Sequence, residues 1–449
     1  MSSNRRDFIK KATAGAVGVA FTGGITSASA KSYSRIIGAN DRIQVAIQGL
    51  GRRWGAYIEA ISDKTNNVEL LYLCDVMKTQ RDKAAKTISK SINYAPKLEN
   101  DIRVILDDKK IDAIFMATPD HWHAPGACMA MEANKHVYLE KPCSHNPREG
   151  ELLVAYQKKY GKHIQMGNQQ RSSLESSSII KDIHDGIIGD VYKAIAFYTN
   201  SRGEVPLPTK ANPPEGLDWD LFQGPSPRKE YMHDTWDYNW HWYGWDFGTA
   251  ETGNNATHEL DIARWALDVD YPEHVDVYSG KFQYQNDGWE MYDTMEATFK
   301  FANNKIIQWD GQSRNGYNKY GAGRGTIIYG SKGSVFIDRG GFKLFDLKGE
   351  LIRSKTLQGG GEDGVALGGG GNLSTRHSVN FFQAIRGKEP LTSPIEQGVV
   401  SQMLTHYANI SSRIGKSFEV DDITGKIYDR DAMKLWSRTY EPGWEIKPV

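Results

Sequence analysis

The segment 43–61, IQVAIQGLGRRWGAYIEAI, constrains this chain more than any other stretch. Ile43, Val45, Ala46 and Ile47 form an apolar run of the length of a buried strand. A turn with Gly49 and Gly51 follows, and then Ala56, Tyr57, Ala60 and Ile61 recur at helical spacing. A strand that turns through glycine into a helix aims backbone N–H groups and the positive end of a helix dipole at one point, which suits a pyrophosphate. Gly49 permits the tight turn, and Gly51 lets the backbone approach a ligand. The pattern departs from GxGxxG, because Trp54 stands at the third glycine position and Gly55 comes one residue late. A second apolar run, ELLYLCD at 69–75, reads as the next strand and ends on Asp75. An acidic residue at that distance hydrogen-bonds the adenosine ribose of NAD and repels a 2′-phosphate. NAD is therefore the expected cofactor.

Residues 1–30 read as an address rather than as part of the fold. Asn4-Arg5-Arg6-Asp7-Phe8-Ile9-Lys10 is a twin-arginine pattern, followed by a weakly apolar Gly/Ala-rich run that ends in Ser27-Ala28-Ser29-Ala30. The expectation is export to the periplasm by the twin-arginine route, which carries folded proteins, with no stable membrane insertion after processing. Lys+Arg and Asp+Glu balance at 55 each, so no global field favours nucleic acid. Cys74, Cys128 and Cys143 are the only cysteines and build no disulfide framework. The rest of the chain is long enough for two domains, expected over 41–171 and 172–449.

After Asp75 helices and strands alternate. Residues 79–88, 101–107, 124–133 and 148–160 read as helices, and 111–117, 136–139 and 163–166 as strands. This order builds a doubly wound parallel sheet with ligands at the carboxyl ends of its strands, where Gly49, Thr118, Lys141 and Asn168 fall. Beyond 190 the pattern becomes mostly strands, at 191–198, 275–284, 294–301, 306–312, 325–330, 334–338 and 342–345. Helices are expected at 176–185, 253–267, 374–386, 394–413 and 431–442. Residues 359–371 form a glycine-rich loop without a phosphate motif.

ATPDHWHAP at 117–125, LEKPCSHNPREGE at 139–151, GNQQR at 167–171 and GNNATHELDIARWAL at 253–267 together resemble the Gfo/Idh/MocA oxidoreductase family, and especially its exported, sugar-acting branch. The resemblance implies an α/β protein: an N-terminal Rossmann domain with a parallel sheet, and a C-terminal α/β domain with an open, mostly antiparallel sheet. That second sheet covers the nicotinamide and often makes a dimer, so a homo-oligomer is expected. The resemblance also implies that Lys141 touches both nicotinamide ribose and substrate hydroxyl, that His123 lies near the cofactor, and that His258 holds the place of the catalytic histidine. Where relatives carry an Asp before that histidine, this chain has Asn254. An amide can orient substrate but carries neither charge nor proton. The candidate cofactor contacts are Gly49, Gly51 and Arg52 in the turn, Asp75, Thr118, Pro119 and His123, then Glu140, Lys141 and Asn168.

The chemistry follows from the residues as well. Oxidising a secondary alcohol removes a hydride from carbon and a proton from oxygen, so a cation near the oxygen and a neutral base are both needed. Lys141, between Glu140 and Pro142, is the candidate cation, and His258 the candidate base. The pair His121 and His123 has no third ligand at a recognisable spacing, and no metal is expected. Residues 231–248 crowd Trp236, Tyr238, Trp240, Trp242 and Trp245 together with His241. Aromatic faces stack on sugar C–H surfaces, so Tyr238, Trp240, His241 and Trp242, with Arg171, are the candidate substrate contacts. The expected activity is NAD-dependent oxidation of a secondary hydroxyl of a sugar or glycoside, with the nucleotide tightly held. Two alternatives stand beside it: a redox-neutral glycosidase or lyase using the same cofactor, and an inactive sugar-binding protein on the same scaffold.

Overall fold

The computed structural model describes residues 41–356 and 373–449. The twin-arginine segment and the glycine-rich loop at 359–371 lie outside the described residues. From Ile43 to Val449 the chain forms one compact unit built on two sheets.

The first sheet holds β1 (Ile43–Gln48), β2 (Val68–Cys74), β3 (Lys97–Glu99), β4 (Ala113–Met116), β5 (His136–Leu139) and β6 (Ile164–Met166). All pairs are parallel, in the order β3-β2-β1-β4-β5-β6. The strands read as near-continuous apolar runs because helices cover both faces. Order reverses between β1 and β4, which opens a crevice beyond their carboxyl ends. Gly49 sits at its mouth with φ +87°, and a Cβ there would fall 2.4 Å from the Ala117 carbonyl oxygen. Only glycine fits both the dihedral and the contact. The expected helices appear at Lys78–Ile88, Ile102–Asp107, Asp120–Glu132 and Pro147–Tyr160. Asp101 caps the second and Asn146 the last, each through its side-chain oxygen. The three-residue β3 carried no readable pattern.

The second sheet gathers β7 (Val191–Ser201), β8 (His274–Gly280), β9 (Thr294–Lys300), β10 (Ile306–Gln312), β11 (Arg314–Asn315), β12 (Arg324–Gly330), β13 (Gly333–Asp338), β14 (Gly341–Phe345), β15 (Leu351–Thr356) and β16 (Phe418–Glu419). Only β7 and β10 pair in parallel; every other pairing is antiparallel. Burial alternates along β9 and β10, and the inward side chains meet the helices Leu174–His184, Thr257–Leu267 and Ile395–Ile414 in one large apolar core.

Two departures from the sequence reading matter for the site. The helix expected over 253–267 begins with a π-helical turn, Thr252–Ala256, before the α-helix Thr257–Leu267. The helix expected over 431–442 is only Arg430–Met433, capped by Asp429. The chain then runs as a strap over the first domain. Arg438 bridges Glu149 at 2.8 Å and donates to the His121 carbonyl at 2.6 Å; Trp444 packs edge-on against Trp122; Tyr156 donates to the Lys447 carbonyl. These longer-range partners replace the helical bonds that a local reading supplies. A second return crossing comes from the helix Leu373–Ile385, whose Phe381 and Phe382 enter the core of the parallel sheet beside Tyr57, Phe115 and Tyr138.

Candidate active site

The cleft lies at the carboxyl ends of β1, β2, β4 and β5 and is closed on its far side by the segment around Trp236–His241. Gly49, Gly51 and Arg52 line one end with Asp75. Thr118, Pro119 and His123 line the middle, and Glu140 and Lys141 join Asn254, Tyr238, Trp240 and His241 at the other end. Most of the residues singled out in the sequence therefore converge.

At the nucleotide end the residues fit a dinucleotide. A Cβ on Gly51 would meet open space, so the turn leaves room for a ligand against its backbone. The Asp75 carboxylate accepts from the backbone N–H of Leu50 at 2.7 Å and of Met77 at 2.8 Å, which ties the glycine turn to the end of β2. Burial raises the Asp75 pKa, and those two bonds oppose the rise. The neighbouring arginines are engaged elsewhere: Arg52 lies over the Tyr238 ring at 4.1 Å, and Arg53 pairs with Glu140 at 2.7 Å. Arg81, which donates to the Asp75 backbone carbonyl, is the cation beside this carboxylate, and the buried Asp75 itself is the group that disfavours a 2′-phosphate. Three buried polar atoms on the cleft wall have no protein partner: Gln48 Oε1, Thr118 Oγ1 and His123 Nε2. His123 Nδ1 is 2.6 Å from the Pro142 carbonyl, which fixes the proton on Nδ1 of the neutral ring and leaves Nε2 as an acceptor. Burial pushes its pKa down to about 4. Such orphaned groups are what a bound polar ligand satisfies. His121 points elsewhere, with Nε2 on the Phe222 carbonyl at 2.8 Å. Among the described residues no cluster of His, Cys, Asp or Glu suits a metal.

At the chemical end Glu140 is held by Arg53, by the Tyr57 hydroxyl at 2.9 Å and by Gln169 at 3.1 Å. Lys141 Nζ donates to the Asn254 carbonyl, with Asn254 Oδ1 at 3.4 Å. The π turn creates this contact, because its i→i+5 geometry interrupts the α-helical ladder at Asn254. Burial brings the Lys141 ammonium down to about 8, against the pull of Asp120 and Glu140. Asp120, which the sequence reading left in the break between the strand at 111–117 and the helix at 124–133, is the first residue of the helix Asp120–Glu132. It is buried in the cleft wall, accepts from Thr249 N at 3.1 Å and Thr249 Oγ1 at 2.6 Å, and burial lifts its pKa to about 6. Only the meeting of the two domains puts Asp120 beside Thr249, so no local signal marked it.

His241 stacks on Trp240 with ring centroids 3.5 Å apart, and its Nδ1 is 2.6 Å from the Tyr238 carbonyl. The proton again sits on Nδ1, and Nε2 is the acceptor. Burial pushes its pKa well below the usual value, with Lys141 and Arg202 adding to the effect. His258 is buried and does not line the cleft. Burial lowers its pKa strongly, and Arg339, Lys141, Arg324 and Arg53 around it lower it further. Asn254 lines the cleft and His258 does not, although Lys141 is near enough for its charge to lower the His258 pKa.

Three further candidates lie outside the cleft lining. Arg171 forms a buried bidentate pair with Asp261 at 2.7 and 2.8 Å, lies over Trp265 and is outside the cleft lining. Trp242 is buried in the second core, stacked on Trp289 at 3.9 Å. Asn168 is 1% exposed with its Oδ1 unpartnered, outside the cleft lining.

A six-stranded parallel sheet with its crevice at the β1/β4 reversal, and a buried lysine where a second sheet domain closes that crevice, define a two-domain, dinucleotide-dependent oxidoreductase. Residues 43–168 match the model of the oxidoreductase family with an NAD-binding Rossmann fold, and residues 179–336 match the GFO/IDH/MocA C-terminal domain. The chain belongs to the Gfo/Idh/MocA oxidoreductase family and carries its NAD-binding domain. Among curated relatives, an alpha-N-acetylgalactosaminidase of Shewanella oneidensis is 25% identical over 289 residues, covering 61% of this chain and 57% of that protein. The chain thus spans under two thirds of the length of that relative. Among solved structures, the WlbA dehydrogenase of Bordetella pertussis, in complex with NADH and UDP-GlcNAcA, superimposes with a TM-score of 0.61 at 18% identity, covering 85% of this chain and 99% of that one. The aldose-aldose oxidoreductase of Caulobacter crescentus gives 0.62 at 17%, covering 84% and 100%. At these identities the structures share the fold. Among the described residues no helix is long and apolar enough to cross a membrane.

Proposed function

We propose that this protein oxidises a secondary hydroxyl of a sugar or glycoside with NAD that it retains between turnovers, the reduced nicotinamide passing its hydride to the carbonyl of a second substrate before the next cycle. The observation that carries the reading is the placement of Lys141: a buried ammonium in the cleft, bonded to Asn254 and near Asp120, in a wall that Tyr238, Trp240 and His241 also line. NAD, when bound, supplies the hydride acceptor. Lys141 orients the reacting hydroxyl and stabilises negative charge on its oxygen. Asn254 holds the lysine, and Tyr238 and Trp240, with rings packed against Arg52 and His241, shape the wall beside it. A neutral imidazole takes the proton. His258 stands at the position that family resemblance marks, whereas His241 stands on the wall with its Nε2 lone pair available, and that placement favours His241 as acceptor.

The match to a glycosidase supports a second reading, in which the same oxidation is transient. A carbonyl next to the C–H beside the anomeric carbon acidifies that C–H; elimination then expels the aglycone, water adds to the resulting unsaturated ketone at the anomeric carbon, and the hydride returned from the same reduced nicotinamide restores the hydroxyl. The test is to purify the processed protein from the periplasm, dialyse it and incubate it with glycosides, with and without an aldose as hydride acceptor, and without added NAD. Stoichiometric nucleotide and turnover are expected. A keto-sugar by mass spectrometry supports net oxidation, and a free reducing sugar supports cleavage. Activity strictly proportional to added NAD would overturn retention, and neither product with any glycoside would favour an inactive binding protein. A homo-oligomer formed through the open face of the second sheet is part of the proposal; Tyr192 and Tyr278 on that sheet are 50% and 74% exposed.

A further inference from the structure

Thr249, whose hydroxyl donates to Asp120 in the cleft, also lines a second cavity of about 650 Å³. His145, Asn146, Trp245, His406, Asn409 and Arg413 line it as well. Its volume is in the range of sites for small organic ligands.

The polar groups of this cavity leave a specific remainder. Asn146 is 5% exposed; its Oδ1 caps the helix Pro147–Tyr160 by accepting from Glu149 N at 3.1 Å, while its Nδ2 is buried with no partner. His145 Nε2 is likewise buried and unpartnered. The charges on the lining are mostly compensated: Arg438 by Glu149, Lys434 by Asp431 at 2.8 Å, and Asp246 by Lys229. Arg413 is the exception. Its guanidinium lies over the Trp245 ring at 4.7 Å, and among the described residues no carboxylate lies within ion-pairing distance of it. Burial lowers its pKa, with Asp246 the one opposing charge. A cavity with buried donors and one uncompensated guanidinium selects an acceptor that carries a single negative charge. A guanidinium whose face rests on indole keeps its N–H edge available for the two oxygens of a carboxylate.

We propose that this cavity is a second binding site, for a monocarboxylate of monosaccharide size, in which Arg413 pairs with the carboxylate and Asn146 Nδ2 donates from the floor. The site is joined to the catalytic cleft by a short hydrogen-bonded path. Asn409, on its lining, donates to the Thr249 carbonyl at 2.8 Å, and Thr249 holds Asp120 through its N–H and hydroxyl. Occupancy therefore bears on the carboxylate that supports the Lys141 charge, and by linkage the cleft's ligand bears equally on this site.

The test is isothermal calorimetry on the folded, nucleotide-containing protein with glucuronate and gluconate, and with glucose, acetate and inorganic phosphate as comparisons. Saturable binding of a sugar acid is expected, with glucose and phosphate at least about tenfold weaker, the difference that a single charge-assisted contact makes. Arg413→Gln should weaken it about tenfold. Asn146→Asp keeps the capping oxygen but replaces the donor with a charge, and should abolish it while the melting temperature and nucleotide content stay near those of the parent. Binding to the catalytic cleft instead would leave affinity unchanged in both variants, which overturns the proposal. So would equal binding of all anions, or no saturable binding of either sugar acid.

Discussion

Lys141 holds its charge against burial, and the groups around it set the pH range in which it does so. A protonated lysine is needed to stabilise alkoxide, and an ionised Asp120 supports that proton. kcat/KM should therefore rise through about pH 6 as Asp120 ionises and fall through about pH 8 as Lys141 loses its proton. Asp120→Asn removes the supporting carboxylate, so the alkaline limb should move to lower pH by about one unit; a limb that stays in place would separate Asp120 from the mechanism. The two histidines make a sharper comparison. His241→Gln should lower kcat by at least about a hundredfold with nucleotide retained, and His258→Gln should change it less. The reverse order, measured by single-turnover absorbance at the reduced nicotinamide band, would return the base to His258. Lys141, His123 and Asn254 were legible in the sequence because short motifs carry them. Asp120 and the acceptor role of His241 were not, since each depends on a partner brought by the other domain or by an irregular turn.

Elements repeat this division between local and distant causes. Most strands of both sheets followed from apolar runs and from alternation, though the short β3, β11 and β16 and the exposed β15 did not; the helix start at Asp101 was read, and the cap at Asn146 was not. The π turn at Thr252–Ala256 carries no pattern that distinguishes it from an α-helical start, and it holds the Asn254 carbonyl that Lys141 meets. The aromatic segment splits in the same way: Tyr238, Trp240 and His241 face the cleft, while Trp242 turns into the core against Trp289. Trp242→Ala should thus cost about 3–5 kcal/mol of stability, seen as a lower melting temperature. Tyr238→Ala should instead raise KM with little change in melting. Equal effects on both quantities in both variants would mean the segment acts as one packed unit. Arg171→Ala belongs with the core. Stranding Asp261 without its partner should cost about 3–5 kcal/mol, without a specific loss of substrate affinity in the protein that remains folded.

At the scale of the molecule, the two sheets are bound by more than the contact across the cleft. The strap after Met433 fastens the second domain to the helices Asp120–Glu132 and Pro147–Tyr160, through Arg438 on Glu149 and Trp444 on Trp122. Removing residues 436–449 should lower the melting temperature and speed hydrogen exchange in the helix Asp120–Glu132, which carries Asp120 and His123. Exchange unchanged in that helix would show the strap to be ornament rather than clamp.

The return of Phe381 and Phe382 to the parallel sheet has a consequence for how the chain is made. Synthesis releases β1 to β6 long before those rings exist, so the emerging nucleotide domain has an apolar face that nothing yet covers. It must wait, shielded or loosely packed, until the last stretch leaves the ribosome and closes over it. The half that is made first is the half that is finished last.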